Sequence, residues 1–240
     1  MNNAYLKLSN INKSINGNQI LSDISFSINS NEIVGLLGPN GAGKTTAFYI
    51  AAGLVFSEKG KVFIRDKDVS KDAMHIRARH GLVYLPQEAS LFLDLTVEQN
   101  LMGMSELISG SSEYTNFVKE IIDDFSLNTI LGLKGRMLSG GQRRKVEIAR
   151  TMISQPSILL LDEPFAGIDP IAVEEIKELL VAISKKDMAL LITDHNVRET
   201  LSLCDRALIL NNGKIIAEGT QEELTQNSTV KESYFGEMFS

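Results

Sequence analysis

"EIVGLLGPNGAGKTTAFYIAAGLV", residues 32–55, decides the fold. The apolar run "EIVGLL" suits a strand buried on both faces. "GKTTAFYIAAGLV" carries a helical pattern that ends near Gly53, a residue suited to a C-cap. Between them, "GPNGAGKT", from Gly38 to Thr45, fits G-x-x-x-x-G-K-[ST] in the strand–loop–helix context that the pattern requires. Gly38, Gly41 and Gly43 let the backbone curl so that its N–H groups face phosphate oxygens at a helix N-terminus. Lys44 is placed to reach the β- and γ-phosphates, and the Thr45 hydroxyl to ligate Mg²⁺. Pro39, Asn40, Ala42 and Thr46 complete the phosphate-contacting stretch.

The rest of the chain repeats this strand–helix logic. Upstream, "YLKL" and "SDISFSI" read as strands, the alternation of Ile24, Phe26 and Ile28 suiting a half-buried antiparallel one. Downstream, "GLVYLP", "SILLLD", "MALLITD" and "RALIL" are buried strand runs interleaved with helices such as "PIAVEEIKELLVAISKK". That alternation predicts an α/β core with a mainly parallel sheet and flanking helices, the P-loop NTPase arrangement, preceded by an antiparallel β subdomain. Residues 88 to about 137 break the pattern. "TVEQNLMGMSELI" and "EYTNFVKEIIDDFSL" are helical, with a loop at "SGSS", residues 109–112, and no apolar strand between them. They are expected to form a helical subdomain inserted in one domain that spans residues 1–240. Near the end, Asn212-Gly213 in "LNNGKIIAEG" marks a tight hairpin turn.

Composition narrows the partners. The net charge of −6 lacks the basic balance of a nucleic-acid binder. No window approaches the roughly 20 apolar residues of a spanning helix, and "MNNAYLKLSN" has neither a charged leader nor an apolar run. A cytoplasmic chain with no direct membrane insertion is expected. Cys204, the one cysteine, reads as a buried structural thiol.

"ILLLDE" delivers Asp162 and Glu163 at the polar end of a buried strand, where α/β sheets place their ligands. Asp162 suits the Mg²⁺ shell, and Glu163 suits polarising an attacking water. His195, in "LLITDHN", follows another buried strand and is placed to hydrogen-bond a γ-phosphate. "LSGGQRRKVEIAR", residues 138–150, is a polar turn that opens into an amphipathic helix with free N–H groups in its first turn. Arg143, Arg144 and Lys145 within it read as solvated charge.

The Gly-rich loop, "YLPQ" with Gln87, "LSGGQ", "LLLDEP", "AGID" with Asp169, and His195 occur in the order of ATP-binding cassette ATPases, which the chain resembles along essentially its whole length. The resemblance implies ATP as the nucleotide and a head-to-tail pairing with a second copy. Ser139, Gly140, Gly141 and Gln142 of one copy then meet the γ-phosphate held at Lys44 of the other. It further implies Glu163 as general base, His195 as a γ-phosphate contact, Gln87 as a contact to metal and water, and Asp169 as part of the nucleotide site. Ile15 stands where the family usually stacks an aromatic ring on adenine, so apolar contact replaces a π-face. Separate membrane permease subunits are expected to dock beside Leu91, Phe92 and Leu93, which would hold the protein peripherally on the cytoplasmic face of the inner membrane. Leu93-Asp94 occupies a place where basic residues are common in the family.

"RARHGLVYLPQEASLF", "LLLDEPFAGIDPIAV", "LLITDHNVRET" and "VKESYFGEMF" are longer stretches, and they resemble the ATPase subunits of lipopolysaccharide exporters of Gram-negative bacteria. The alternatives are the ATPase of a branched-chain amino acid importer and a cassette ATPase that regulates a partner without transport. Soluble DNA-repair or ribosome-associated cassettes usually pair two cassettes in one chain or insert a coiled coil, and neither is seen here.

Overall fold

Two long strands open the structure, a computed structural model that describes residues 4–109 and 114–236. β1 (Ala4–Ile15) and β2 (Asn18–Asn29) pair antiparallel. Asn16 and Gly17, both at positive φ, turn one into the other. Their alternating side chains bury Leu6, Leu8, Ile24, Phe26 and Ile28 on one face. β3 (Glu32–Leu37) then enters the second sheet, followed by α1 (Lys44–Ala52). The chain returns through β4 (Lys59–Ile64) and the two-residue β5 (Lys67–Asp68) to complete an antiparallel sheet of order β2-β1-β4-β5.

After α2 (Met74–Ala78), β6 (Leu82–Leu85) leads into α3 (Val97–Ser109), α4 (Tyr114–Asp124) and α5 (Gly140–Met152). Then come β7 (Ile158–Asp162), α6 (Pro170–Ser184), β8 (Ala189–Thr193), α7 (Val197–Leu203), β9 (Arg206–Asn211), β10 (Lys214–Gly219) and α8 (Gln221–Gln226). A π-helical turn at Lys231–Phe235 ends the described chain. The order in the large sheet is β10-β9-β3-β8-β7-β6, all parallel except β10 against β9. Asn212 and Gly213, both at positive φ, form the β9–β10 turn. Every residue of β7 and β8 is buried, as continuous apolar strands covered on both faces should be.

Residues 88–137 contain, among the described residues, α3, α4 and two single-turn 3₁₀ segments, with no strand of either sheet. The two ends of this stretch zip together. Val97 N–H donates to Leu133 O and Gly135 N–H to Leu95 O, around an antiparallel bridge from Thr96 to Lys134. Leu101, Val118 and Ile121 from its helices, with Phe125 just after α4, join the core that also holds Val173, Ile176 and Leu180 of α6. The opposite face of the sheet packs Val34, Leu36 and Leu160 against Phe48 and Ile50 of α1 and against the antiparallel sheet. Of the loop expected at residues 109–112, Ser109 ends α3 and the remainder lies outside the described residues. The first three residues of "MNNAYLKLSN" and the end of "VKESYFGEMF" also lie outside them. Among the described residues, no helix is long and apolar enough to cross a membrane.

Parallel pairing aligns the C-terminal ends of β3, β8, β7 and β6, with Asp162 beside Thr193 and Leu161 beside Leu85. Whatever follows these strands is therefore delivered to one edge of the sheet.

Candidate functional site

At that edge lies an open cavity of about 530 Å³, lined by Ile15, Ile20, the loop from Asn40 to Thr46, Asp162, Glu163, Thr193 and His195. Its loop follows from two glycines. Gly38 has φ 151, and a Cβ there would sit 2.0 Å from the Leu210 carbonyl oxygen, so only glycine lets the chain leave β3 in this direction. Gly43, at φ 104, is the N-cap of α1 and supplies no side-chain cap, which leaves the first-turn N–H groups to an anion. Lys44 is buried, its Nζ donating to the carbonyls of Gly38 (2.7 Å) and Pro39 (3.0 Å). Burial pulls the pKa of this ammonium down, while Glu163 and Asp162 hold it up.

The two carboxylates after β7 live in different surroundings. Asp162 is buried, and its Oδ2 accepts a hydrogen bond from the Tyr84 hydroxyl at 3.0 Å. Burial pushes its carboxyl pKa up, against the Tyr84 hydroxyl and the Arg144 charge. Glu163 stands at φ 47, in the left-handed region, and its N–H donates to Thr193 O at 2.7 Å. Its carboxylate is held at both oxygens. Gln87 Nε2 donates to Oε2 at 2.6 Å, and His195 Nε2 lies 2.7 Å from Oε1. Residues from three strand ends thus converge on one acceptor at the mouth of the cavity. Asp194 ties the same edge together, accepting from the N–H groups of Phe165 (3.0 Å) and Asn196 (2.8 Å).

The signature stretch lies apart from the Lys44 cavity. Ser139 caps α5 in a closed box: its hydroxyl accepts from Gln142 N–H, and the Gln142 side chain accepts from Ser139 N–H. Gly140 lines a separate hollow of about 160 Å³ with Gln87, Arg143, Arg144, Glu163 and Gly167. Gly141 has no room for a side chain, since a Cβ would meet the Ala172 methyl at 2.3 Å. Asp169 is the N-cap of α6, accepting from Ala172 N–H at 3.0 Å. In one chain, Ser139, Gly140, Gly141, Gln142 and Asp169 therefore do not line the cavity that holds Lys44.

The expectation of solvated charge fails for Arg144. That side chain is 5% exposed, donates to Pro86 O (2.9 Å) and Asp162 O (3.0 Å), and pairs with Glu147 at 3.2 Å. The helical spacing held the signal, because Arg144 shares a face with the buried Gly141, Ile148 and Thr151. Arg143 is half-buried, and Lys145 pairs with Glu175 at 2.7 Å. In the expected docking loop, Leu91 is core, packed with Leu85 and Val97, whereas Phe92 and Leu93 are 64% and 44% exposed. Asn100, buried and unforeseen, staples this loop by accepting from Phe92 N–H and donating to the carbonyls of Phe92 and Thr96. Asp94 pairs with Arg136 at 2.8 Å on the surface. Cys204 is half-buried beside Gly35, and burial raises its thiol pKa.

Thr45, Asp162 and Gln87 offer hard oxygen donors, and among the described residues no cluster of three or more His, Cys, Asp or Glu forms a metal cage. Such a sparse oxygen set fits Mg²⁺, which binds through one or two protein groups plus phosphates and water.

Residues 21–166 match the family model described as "ABC transporter". The "Lipopolysaccharide export system ATP-binding protein LptB" of Haemophilus influenzae is 49% identical over 238 residues, covering 98% of this chain and 99% of that protein. The protein of the same name from Escherichia coli K12 is 46% identical over 238 residues, with 98% and 99% covered. Among solved structures, an ATP-binding cassette of an ABC transporter in its ADP conformation superposes with a TM-score of 0.88 at 28% identity, covering 97% of this chain and 99% of its own. A nucleotide-free cassette gives 0.88 at 26% identity, with 97% and 99% covered.

Proposed function

Since the chain belongs to the ABC transporter ATPase family, we propose that it is the ATP-hydrolysing subunit that drives lipopolysaccharide extraction and export from the inner membrane. It works as one nucleotide-binding domain, with residues 88–137 as its inserted helical arm. Two copies pair head to tail, so that Ser139, Gly140, Gly141 and Gln142 of one close over the γ-phosphate at Lys44 of the other. The cargo assignment is supported by the likeness to lipopolysaccharide-export ATPases along 98% of the chain.

The observation that favours hydrolysis over mere binding is the Glu163 carboxylate, gripped by Gln87 and His195 beside the phosphate loop. A carboxylate oriented at both oxygens is positioned to take a proton from an attacking water. Lys44 and the first-turn N–H groups of α1 neutralise the phosphates, and Ile15 covers the adenine with apolar surface. Asp169 completes the nucleotide site from the loop before α6. Thr45, Asp162 and Gln87 would hold Mg²⁺, which when bound would supply positive charge to the phosphates. His195 contacts the γ-phosphate and aligns Glu163. Gln87 joins this site to the arm, and the exposed Phe92 and Leu93 receive the permease subunits on the cytoplasmic face of the membrane.

The test uses tagged Glu163→Gln protein with ATP. Hydrolysis, read as phosphate release, falls by roughly 10²- to 10⁴-fold, while ATP still binds; wild-type turnover removes Glu163 from the role of base. Detergent co-purification of this trapped form should recover lipopolysaccharide-export permeases. Recovery of a different permease replaces the cargo, and no membrane partner at all favours a regulatory ATPase.

A further inference from the structure

Tyr84 lies in β6, three positions before Gln87, and its strand register pairs it with Leu160. Its hydroxyl nevertheless reaches along β7 to Asp162 Oδ2, at 3.0 Å. Its ring meets that of Tyr49 in α1 edge to face, 6.2 Å between centroids and 83° between planes. One half-buried side chain thus touches the phosphate-loop helix and the carboxylate at the end of β7, from the strand that leads to Gln87. The Asp162 main chain is fixed separately, its carbonyl accepting from Arg144 Nη2 at 3.0 Å. The carboxyl group itself is met by the Tyr84 phenol.

We propose that Tyr84 is a positioning residue for metal binding: by donating to Oδ2 it sets the rotamer of Asp162 and leaves Oδ1 to face Mg²⁺ on the bound nucleotide. This rests on the reading of Asp162 as a metal ligand. A free carboxylate spreads over several orientations, and an oxygen already turned toward the cavity loses less freedom when the metal arrives. A hydroxyl donor suits the task because it orients the carboxylate without adding a positive charge to compete with the metal. Tyr84 would then act through Asp162 and touch neither nucleotide nor metal.

The experiment uses the full chain and a fluorescent, non-hydrolysable ATP analogue, titrated first in excess chelator and then against Mg²⁺. Tyr84→Phe keeps the ring and its contact with Tyr49 and removes only the donor. Its metal-free affinity is expected to stay within about twofold of wild type while the half-saturating Mg²⁺ concentration rises roughly tenfold, equivalent to about 1.4 kcal/mol. Asp162→Asn raises that concentration further, and adding Tyr84→Phe to it raises it no more, because the phenol has lost the group it acts on. A wild-type Mg²⁺ requirement in Tyr84→Phe, with Asp162→Asn impaired, overturns the role of Tyr84 and leaves Asp162 as a ligand. Equal weakening with and without metal also overturns it, making Tyr84 a packing residue. A wild-type requirement in Asp162→Asn overturns the ligand reading itself.

Discussion

Replacing Arg77 by methionine should cost the fold about 3–5 kcal/mol by stranding buried carbonyls, although Arg77 lies outside both cavities at the site. Arg77 is 0% exposed. Its Nη1 donates to Ile50 O (2.5 Å) and Ala51 O (2.8 Å) in the last turn of α1, and its Nε to Asp72 O (2.9 Å). Late helical carbonyls lack intrahelical donors, and a cation there also meets the negative end of the helix dipole. Three charge-assisted bonds at about 1.5–3 kcal/mol each give a gross gain of several kcal/mol. Desolvating the guanidinium, whose Nη2 has no partner among the described residues, offsets part of this. Burial holds its pKa down to about 10, so it remains charged at neutral pH. Methionine fills much of the volume, donates nothing and strands the carbonyls. Lysine supplies one donor group and should lose about half as much. Equilibrium urea unfolding of the full chain reads the difference directly, and a thermal midpoint lowered by roughly 10 °C is the companion signal. If Arg77→Met unfolds within about 1 kcal/mol of wild type, the account of the buried cap is wrong.

Ile15→Tyr should restore a ring over the nucleotide and tighten ATP binding roughly 2- to 10-fold, since ring stacking adds about 0.5–1.5 kcal/mol; unchanged affinity in a fluorescence titration would mean that position 15 does not meet the base. Gly141→Ala forces a methyl to within 2.3 Å of the Ala172 methyl, so it should destabilise the chain by about 1–3 kcal/mol and abolish ATP-dependent pairing on size-exclusion chromatography. Adding Ala172→Gly should recover the stability, and failure to do so places the strain elsewhere.

Where the determinants are local, the sequence is a sufficient guide. The phosphate loop is legible because a strand, three glycines and a helix start lie within one stretch, and the Asn212-Gly213 turn because two residues carry the whole conformation. β7 announces Asp162 and Glu163 because an unbroken apolar strand must end in something polar. Contacts between distant strands leave no such trace. Tyr84 and Asp162 are 78 positions apart, and nothing near Tyr84 distinguishes its hydroxyl from that of any half-buried tyrosine. Leu91, Phe92 and Leu93 are three similar side chains in a row, and the path of the loop, stapled by Asn100, decides that the first turns inward. Arg77 has no neighbour in sequence that marks its role, because its acceptors at Ile50 and Ala51 lie 27 and 26 positions away.

The cap at Ser139 carries a consequence for timing. Both hydrogen bonds of that box are already made in the isolated chain, so the signature turn needs little ordering when a second copy arrives. Its conformational entropy has been spent during folding, and association at this surface becomes a question of charge supply rather than of loop search. In the proposed pair, a triphosphate on one chain completes an electrostatic circuit that the other chain holds open and rigid. Closure would then report occupancy promptly, with the lifetime of the closed state set by how long the terminal phosphate remains attached.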